Sequence, residues 1–196
     1  GRSDDREWVE NLVINPIVLD SYDMQDRSVL DYPGGLCDPS DDFDYVIITT
    51  EQNGLDFWNT NDTLPYNWDS LMNKHQSEDG LSCTLVTMEE INAEPDYGNS
   101  DPLFDDTPAH IREFCKDAYQ DWGTSYVLIG GDDEWIPRRE MDYDYESNCD
   151  SDLYWSNLDN TFNEDGDDDW GEENDGGFDL YSELYIGSLT CDEPQD

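Results

Sequence analysis

Four short apolar runs constrain the fold of this chain more than any other feature. "DYVIITT" (Asp44–Thr50) is β-branched and does not alternate with polar residues, the mark of a strand buried on both faces. "SCTLVTM" (Ser82–Met88), "SYVLIGGDD" (Ser125–Asp133) and "DLYSELYIGSL" (Asp179–Leu189) are three further strand-like runs. Helical patterns separate the first three. In "LPYNWDSLMNKHQSEDG", Leu64, Trp68, Leu71 and Met72 recur at helical spacing, with Pro65 near the start and Gly80 after the end. In "TPAHIREFCKDAYQDWG", Thr107 stands as N-cap before Pro108. Ile111, Phe114, Cys115, Ala118, Tyr119 and Trp122 make one face, and Gly123 closes the helix. Strand–helix alternation of this kind predicts an α/β fold, a parallel, doubly wound sheet flanked by helices. Residues 44–196 form that unit, and residues 1–43 an irregular lead-in or linker with a strand-like piece near Leu12–Leu19. Ligands of such sheets sit at the carboxyl ends of the strands, here Thr50–Gln52, Gly130–Asp133 and Gly187–Thr190.

Charge narrows the partners. The 196 residues include 51 acidic and 8 basic side chains, a formal net charge of −43. Nucleic acid needs a basic footprint and anionic membranes attract one, so neither is expected. High charge with low hydropathy ordinarily favours disorder, but 13% aromatic residues and the four apolar runs supply a core. Self-repulsion on this scale opposes compaction unless counter-ions neutralise it, so divalent cations or high salt are implied. No apolar run approaches the ~18 residues of a membrane span, so no membrane insertion is expected. Five cysteines (Cys37, Cys83, Cys115, Cys149 and Cys191) point to disulfides in an oxidising compartment, with one thiol left over.

The tract "DNTFNEDGDDDWGE" (Asp159–Glu172) carries the densest charge. Asn163, Asp165, Asp167 and Asp169 alternate, Gly166 permits a sharp bend, Glu172 follows, and Asp159 and Asp175 stand ready to complete a shell. Calcium takes six to eight oxygens at about 2.3–2.6 Å, and short alternate carboxylates converge on one point. The register is not that of an EF-hand, because Gly166 falls between Asp165 and Asp167. A plain solvated acidic loop is the other reading of the same residues.

Nucleophilic catalysis finds little support. A Cys–His pair needs an imidazole within reach of an exposed thiol. His75 falls at the polar end of one helix, His110 in the first turn of another, and Cys115 on an apolar helix face. No C-x-x-C or clustered His and Cys suggests zinc, and no Walker or dinucleotide glycine pattern occurs.

"DYVIITTEQ", "LVTMEEI", "IREFCKDAYQDWGTSYVLIGGDDEWIPRR" and "SDLYWSNLDNTFNEDGDDDWGEENDGGFDLYSELYIGSL" together resemble gingipain-type cysteine peptidases, family C25, over about Asp44–Leu189. The triplet of Gly-Gly-Asp-x-x-x-Ile-Pro, Ser-Asp-x-Tyr and Tyr-Ile-Gly carries the resemblance most specifically. It implies a caspase-like α/β fold, a secreted or cell-surface setting and bound calcium. It also implies that the catalytic His and Cys follow the last strand found here. No residue of this chain matches either, and Ser188 stands where the family tends to carry Arg. The expectation is a calcium-binding extracellular module, not catalytically competent as this chain. The alternative is a structural subunit of an extracellular polymer or filament built from a peptidase-derived domain. Expected partners are metal ions, with self-association or the remainder of a longer precursor beside them.

Overall fold

The computed structural model describes residues 35–51, 67–142, 148–159, 161–172, 175 and 181–190. All belong to the compact unit Tyr32–Asp196. The strand-like piece near Leu12–Leu19 lies outside the described residues.

The central sheet is built from β1 (Tyr45–Thr49), β2 (Cys83–Thr87), β3 (Tyr126–Gly130) and β6 (Tyr185–Leu189) in the order β2-β1-β3-β6. All three pairings are parallel, with Ile47 opposite Leu85 and Leu128, and Leu128 opposite Gly187. With its helices, the sheet gives the expected α/β class. Val46, Ile47 and Ile48 are fully buried, which is why β1 shows no polar alternation. Each such side chain stabilises the fold by about 1.5–3 kcal/mol relative to exposure.

Helix α1 (Trp68–Lys74) starts at Asn67, whose side chain accepts a hydrogen bond from Ser70 N at 2.8 Å. It runs on as a wider π-turn through His75–Asp79 to Gly80, which takes the left-handed conformation at φ 72°. Its apolar side places Trp68, Leu71 and Met72 against Tyr45, Ile47, Leu85 and Leu128. Pro65 lies outside the described residues. Helix α2 (Met88–Ala93), unexpected from the apolar pattern, follows β2 directly through a capping box between Thr87 and Glu90.

Helix α3 (Thr107–Asp117) continues as a π-turn over Ala118–Trp122 and ends at Gly123. Its N-cap is Asp106, not Thr107: the Asp106 carboxylate accepts from Ala109 N at 3.0 Å. Asp caps at least as well as Thr, and the shift by one residue leaves Pro108 in the first turn, where its missing N–H costs nothing. A hairpin of β4 (Arg139–Asp142) and β5 (Asn148–Ser151) and a single helical turn, α4 (Leu153–Ser156), precede β6. β6 is shorter than the predicted run, beginning at Tyr185.

Residues 35–43 pack on α3. Cys37 N donates to Asp117 Oδ2 at 3.2 Å, Leu36 N to the Tyr97 hydroxyl at 2.8 Å, and that hydroxyl to Asp117 Oδ2 at 2.6 Å. A Cβ on Gly35 would lie 2.3 Å from the Tyr97 ring, so only glycine fits there.

Cys37, Cys83, Cys115 and Cys149 are free thiols, so the expected bridging does not occur among them. Three are buried on separate elements, the segment before β1, β2 and α3. Cys191 lies outside the described residues.

Candidate metal centre

The acidic tract is a folded loop, and its order comes from two polar side chains turned inward. Asn163 is buried. Its Oδ1 accepts from Gly166 N at 2.9 Å and Asp167 N at 3.2 Å, while its Nδ2 donates to the Asp167 carbonyl at 2.8 Å. This closes a tight turn with Gly166 in the left-handed region, φ 75°. Asp175 is also buried. Its carboxylate accepts from Glu164 N at 3.1 Å, Gly171 N at 2.7 Å and Glu172 N at 3.0 Å. Glu164 N and Glu172 N are thereby satisfied, and Gly171 N is shared between this carboxylate and the Phe162 carbonyl at 2.8 Å.

The loop is pinned to the body by aromatic rings and two of the few cations. Trp170 is buried, and its carbonyl accepts from Asp142 N at 2.7 Å, tying the loop to the end of β4. The Arg139 guanidinium lies 3.8 Å from the Trp170 ring centroid and 4.9 Å from that of Tyr154, and it pairs with Asp106 at 2.7 Å. Arg112 lies over Tyr154 and Phe162 at 4.9 and 5.5 Å and donates to the Asn157 carbonyl at 3.0 Å. Phe162 takes a φ of 59°, a strained setting that costs about 1–3 kcal/mol. Burial of its ring beside Tyr154 offsets that cost.

With the backbone fixed in this way, Asp165, Asp167 and Glu172 each bring a carboxylate oxygen to within 4.8 Å of the others. Asp165 and Asp167 are exposed and Glu172 is partly buried. The seven candidates therefore divide by role. Asp165, Asp167 and Glu172 converge; Asn163 and Asp175 are spent on holding the turns. Asp169 donates its N–H to Asp167 Oδ1 at 2.8 Å and stays outside the converging group, as does exposed Asp159. The donor set is all hard oxygen, which suits calcium and not zinc. Each pair of charges at this separation repels by about 1 kcal/mol even in bulk water, a cost that a bound cation reverses. Arg139, Trp170 and Tyr154 were not foreseen as parts of this site. Trp170 belongs to the tract itself, whereas Arg139 and Tyr154 lie outside it in sequence and only the fold brings them to it.

At the other candidate region, the carboxyl rim, Gly130 and Gly131 serve different ends. A Cβ on Gly130 would meet the Trp68 ring at 2.4 Å, whereas Gly131 needs glycine for its φ of 148°. Beyond them, Asp152 accepts from Ser188 Oγ at 2.6 Å and from Arg138 Nε at 3.2 Å, and Arg138 Nη2 donates to the Gly131 carbonyl at 3.4 Å. These contacts tie the ends of β3 and β6 to Asp152 and Arg138. A cavity of about 500 Å³ between the start of α3 and β4 has Arg138 and Arg139 in its wall, both already engaged as described.

Among the described residues, neither histidine has a thiol among its hydrogen-bond partners. His75 Nδ1 lies 2.7 Å from Asp79 Oδ2 and its ring packs on Tyr45, at the amino-terminal end of the sheet. His110 stands between Asn92 and Asp105, 3.0 Å from each. Burial, followed by the nearby Asp117 charge, pushes the Cys37 thiol far above its ordinary range, and burial pushes Cys115 up to about 12. Burial also raises Cys83.

The family model described as Peptidase family C25 matches residues 38–196. The chain belongs to peptidase family C25. That span takes in the whole sheet, the acidic loop and the carboxyl rim. No curated protein and no solved structure gives a match. Membership carries a cysteine-peptidase, proteolytic background with it. Among the described residues, no helix is long and apolar enough to cross a membrane.

Proposed function

We propose that this chain is a calcium-binding, extracellular C25 module that does not cleave peptides by itself. The observation that carries the metal reading is the convergence of Asp165, Asp167 and Glu172 within 4.8 Å, on a backbone fixed independently by Asn163 and Asp175. Those three would hold the ion, with water completing a shell of six to eight oxygens. When bound, calcium supplies charge neutralisation and stiffness, not chemistry on a substrate. The secreted or cell-surface setting rests on the gingipain resemblance and on an acidity that neither nucleic acid nor anionic membranes would accept.

The non-catalytic reading rests on the residues present. His75 is held by Asp79 and His110 by Asn92 and Asp105, and Cys37, Cys83 and Cys115 are buried with raised pKa values. A thiol in that state is not the thiolate that attacks a carbonyl. The module contributes scaffold and rim to a peptidase or to a peptidase-derived assembly.

Metal analysis combined with melting curves in calcium and in chelator tests the first part. One ion per chain is expected, with a gain of about 3–4 kcal/mol at a few hundred times Kd. The double variant Asp165→Asn/Asp167→Asn should lose that gain. A transition indifferent to chelator at modest ionic strength would return the loop to hydrated surface. For the second part, the chain should release nothing from arginyl or lysyl peptide substrates; turnover that a thiol alkylator abolishes would refute it.

A further inference from the structure

The first residues of the four sheet strands, Cys83, Tyr45, Tyr126 and Tyr185, stand in register. Registered residues of a parallel sheet point to one face, so three tyrosines form a row along the amino-terminal edge. This edge is opposite the carboxyl rim. Tyr45 is covered by the His75 ring, 4.7 Å away. Tyr126 and Tyr185 stack on each other instead, with centroids 5.5 Å apart and planes 22° apart, and remain 41% and 72% exposed.

This exposure is out of keeping with the rest of the molecule. Among the described residues, the exposed large hydrophobic side chains are Tyr126, Tyr181, Tyr185 and Leu189, all on β3 and β6 or just ahead of β6. A parallel sheet ordinarily has both faces covered, and α1 reaches only as far as Leu128 on this one. The surroundings are acidic. Asp41 and Asp42 are exposed just ahead of β1. Asp44, whose carbonyl accepts from Tyr126 N at 3.0 Å, follows them, and Asp79 flanks His75.

We propose that the Tyr126–Tyr185 pair is a docking platform for an arginine-rich, cationic segment of another polypeptide. Two stacked rings offer a flat π surface, and guanidinium groups bind such faces by charge and by stacking. The net charge of −43 steers a cationic chain toward the surface and repels a second copy of this one. The platform is separate from the metal loop and from the carboxyl rim, so it stands or falls apart from both.

Fluorescence anisotropy with the full chain and a labelled Arg-Gly repeat decapeptide tests it. Tyr185→Leu and Tyr126→Leu, which leave net charge unchanged, should each weaken binding about two- to fivefold. Tyr185→Phe should bind like the parent, and a Lys-Gly repeat should bind more weakly than the Arg-Gly one. Undiminished affinity in Tyr185→Leu, or an equal loss in Tyr181→Leu, would overturn the proposal in favour of attraction spread over the whole acidic surface. Dimerisation of the chain in sedimentation that Tyr185→Leu abolishes would overturn it too, assigning the face to a second copy.

Discussion

The sheet and the acidic loop solve the same problem, ordering a strongly self-repelling chain, by opposite means. β1 and β3 remove Val46, Ile47, Ile48, Val127 and Ile129 from water; their stability is apolar and owes nothing to ions. The loop at 161–172 has two buried rings of its own, Phe162 and Trp170. It is held otherwise by the Asn163 and Asp175 hydrogen bonds and by arginines over its rings. The loop can therefore be tuned by solution conditions while the sheet cannot. A metal site placed on such a loop modulates a fold whose core is already secure.

Three substitutions test that contrast. Ile47→Ala in the sheet should cost the most, about 3–4 kcal/mol from lost burial and a residual cavity. The cost should be the same with and without calcium in denaturant titrations; a calcium-dependent cost would mean the two regions are not independent. Asp175→Ala should cost about 2–3 kcal/mol, because the N–H groups of Glu164 and Glu172 lose their acceptor while Gly171 N keeps only the Phe162 carbonyl. It should also abolish the calcium-dependent rise in melting temperature, since the turn that aims Glu172 is lost. Retention of that rise would detach the clasp from the metal site.

The smallest effect belongs to Asp117, a carboxylate buried where residues 35–43 meet α3. Burial raises its pKa, against hydrogen bonds from Tyr97 and Cys37 that lower it. A raised folded value means the group's contribution to stability is present below the ordinary carboxylate range of about 4. It is lost as pH rises through the raised value. Asp117→Asn, which does not titrate, should therefore gain on the parent protein as pH is raised from about 4 to 7. Parallel melting temperatures for the two proteins across that range would refute the assignment.

The sheet was legible because central parallel strands announce themselves as short β-branched runs. The β4–β5 hairpin was not: "REMD" and "NCDS" carry no run or alternation that separates them from loop. The start of α3 was misplaced by one residue because Asp106 and Thr107 are both good caps, and only the 3.0 Å bond to Ala109 N decides between them. Helix α2 had a readable signal in Thr87-x-x-Glu90, masked by the strand that runs straight into it. The acidic tract was legible as a ligand-rich loop. Its division of labour was not, because which polar side chain turns inward to the backbone is decided by the folded turns that Asn163 and Asp175 close and by Arg139, which packs on Trp170 from elsewhere in the chain.

Burial of Arg112 and Arg139 has a consequence for the solution around the protein. Two of its few positive charges are withdrawn from the boundary with water, so the outer field is more negative than side-chain counting suggests. Such a field gathers a dense atmosphere of small cations within roughly 10 Å at 0.1 M ionic strength. Divalent ions, drawn most strongly, are concentrated there above their bulk level. An ion bound at the loop as proposed would be drawn from that local reservoir, and ordinary sodium chloride would weaken its binding without touching a single ligand.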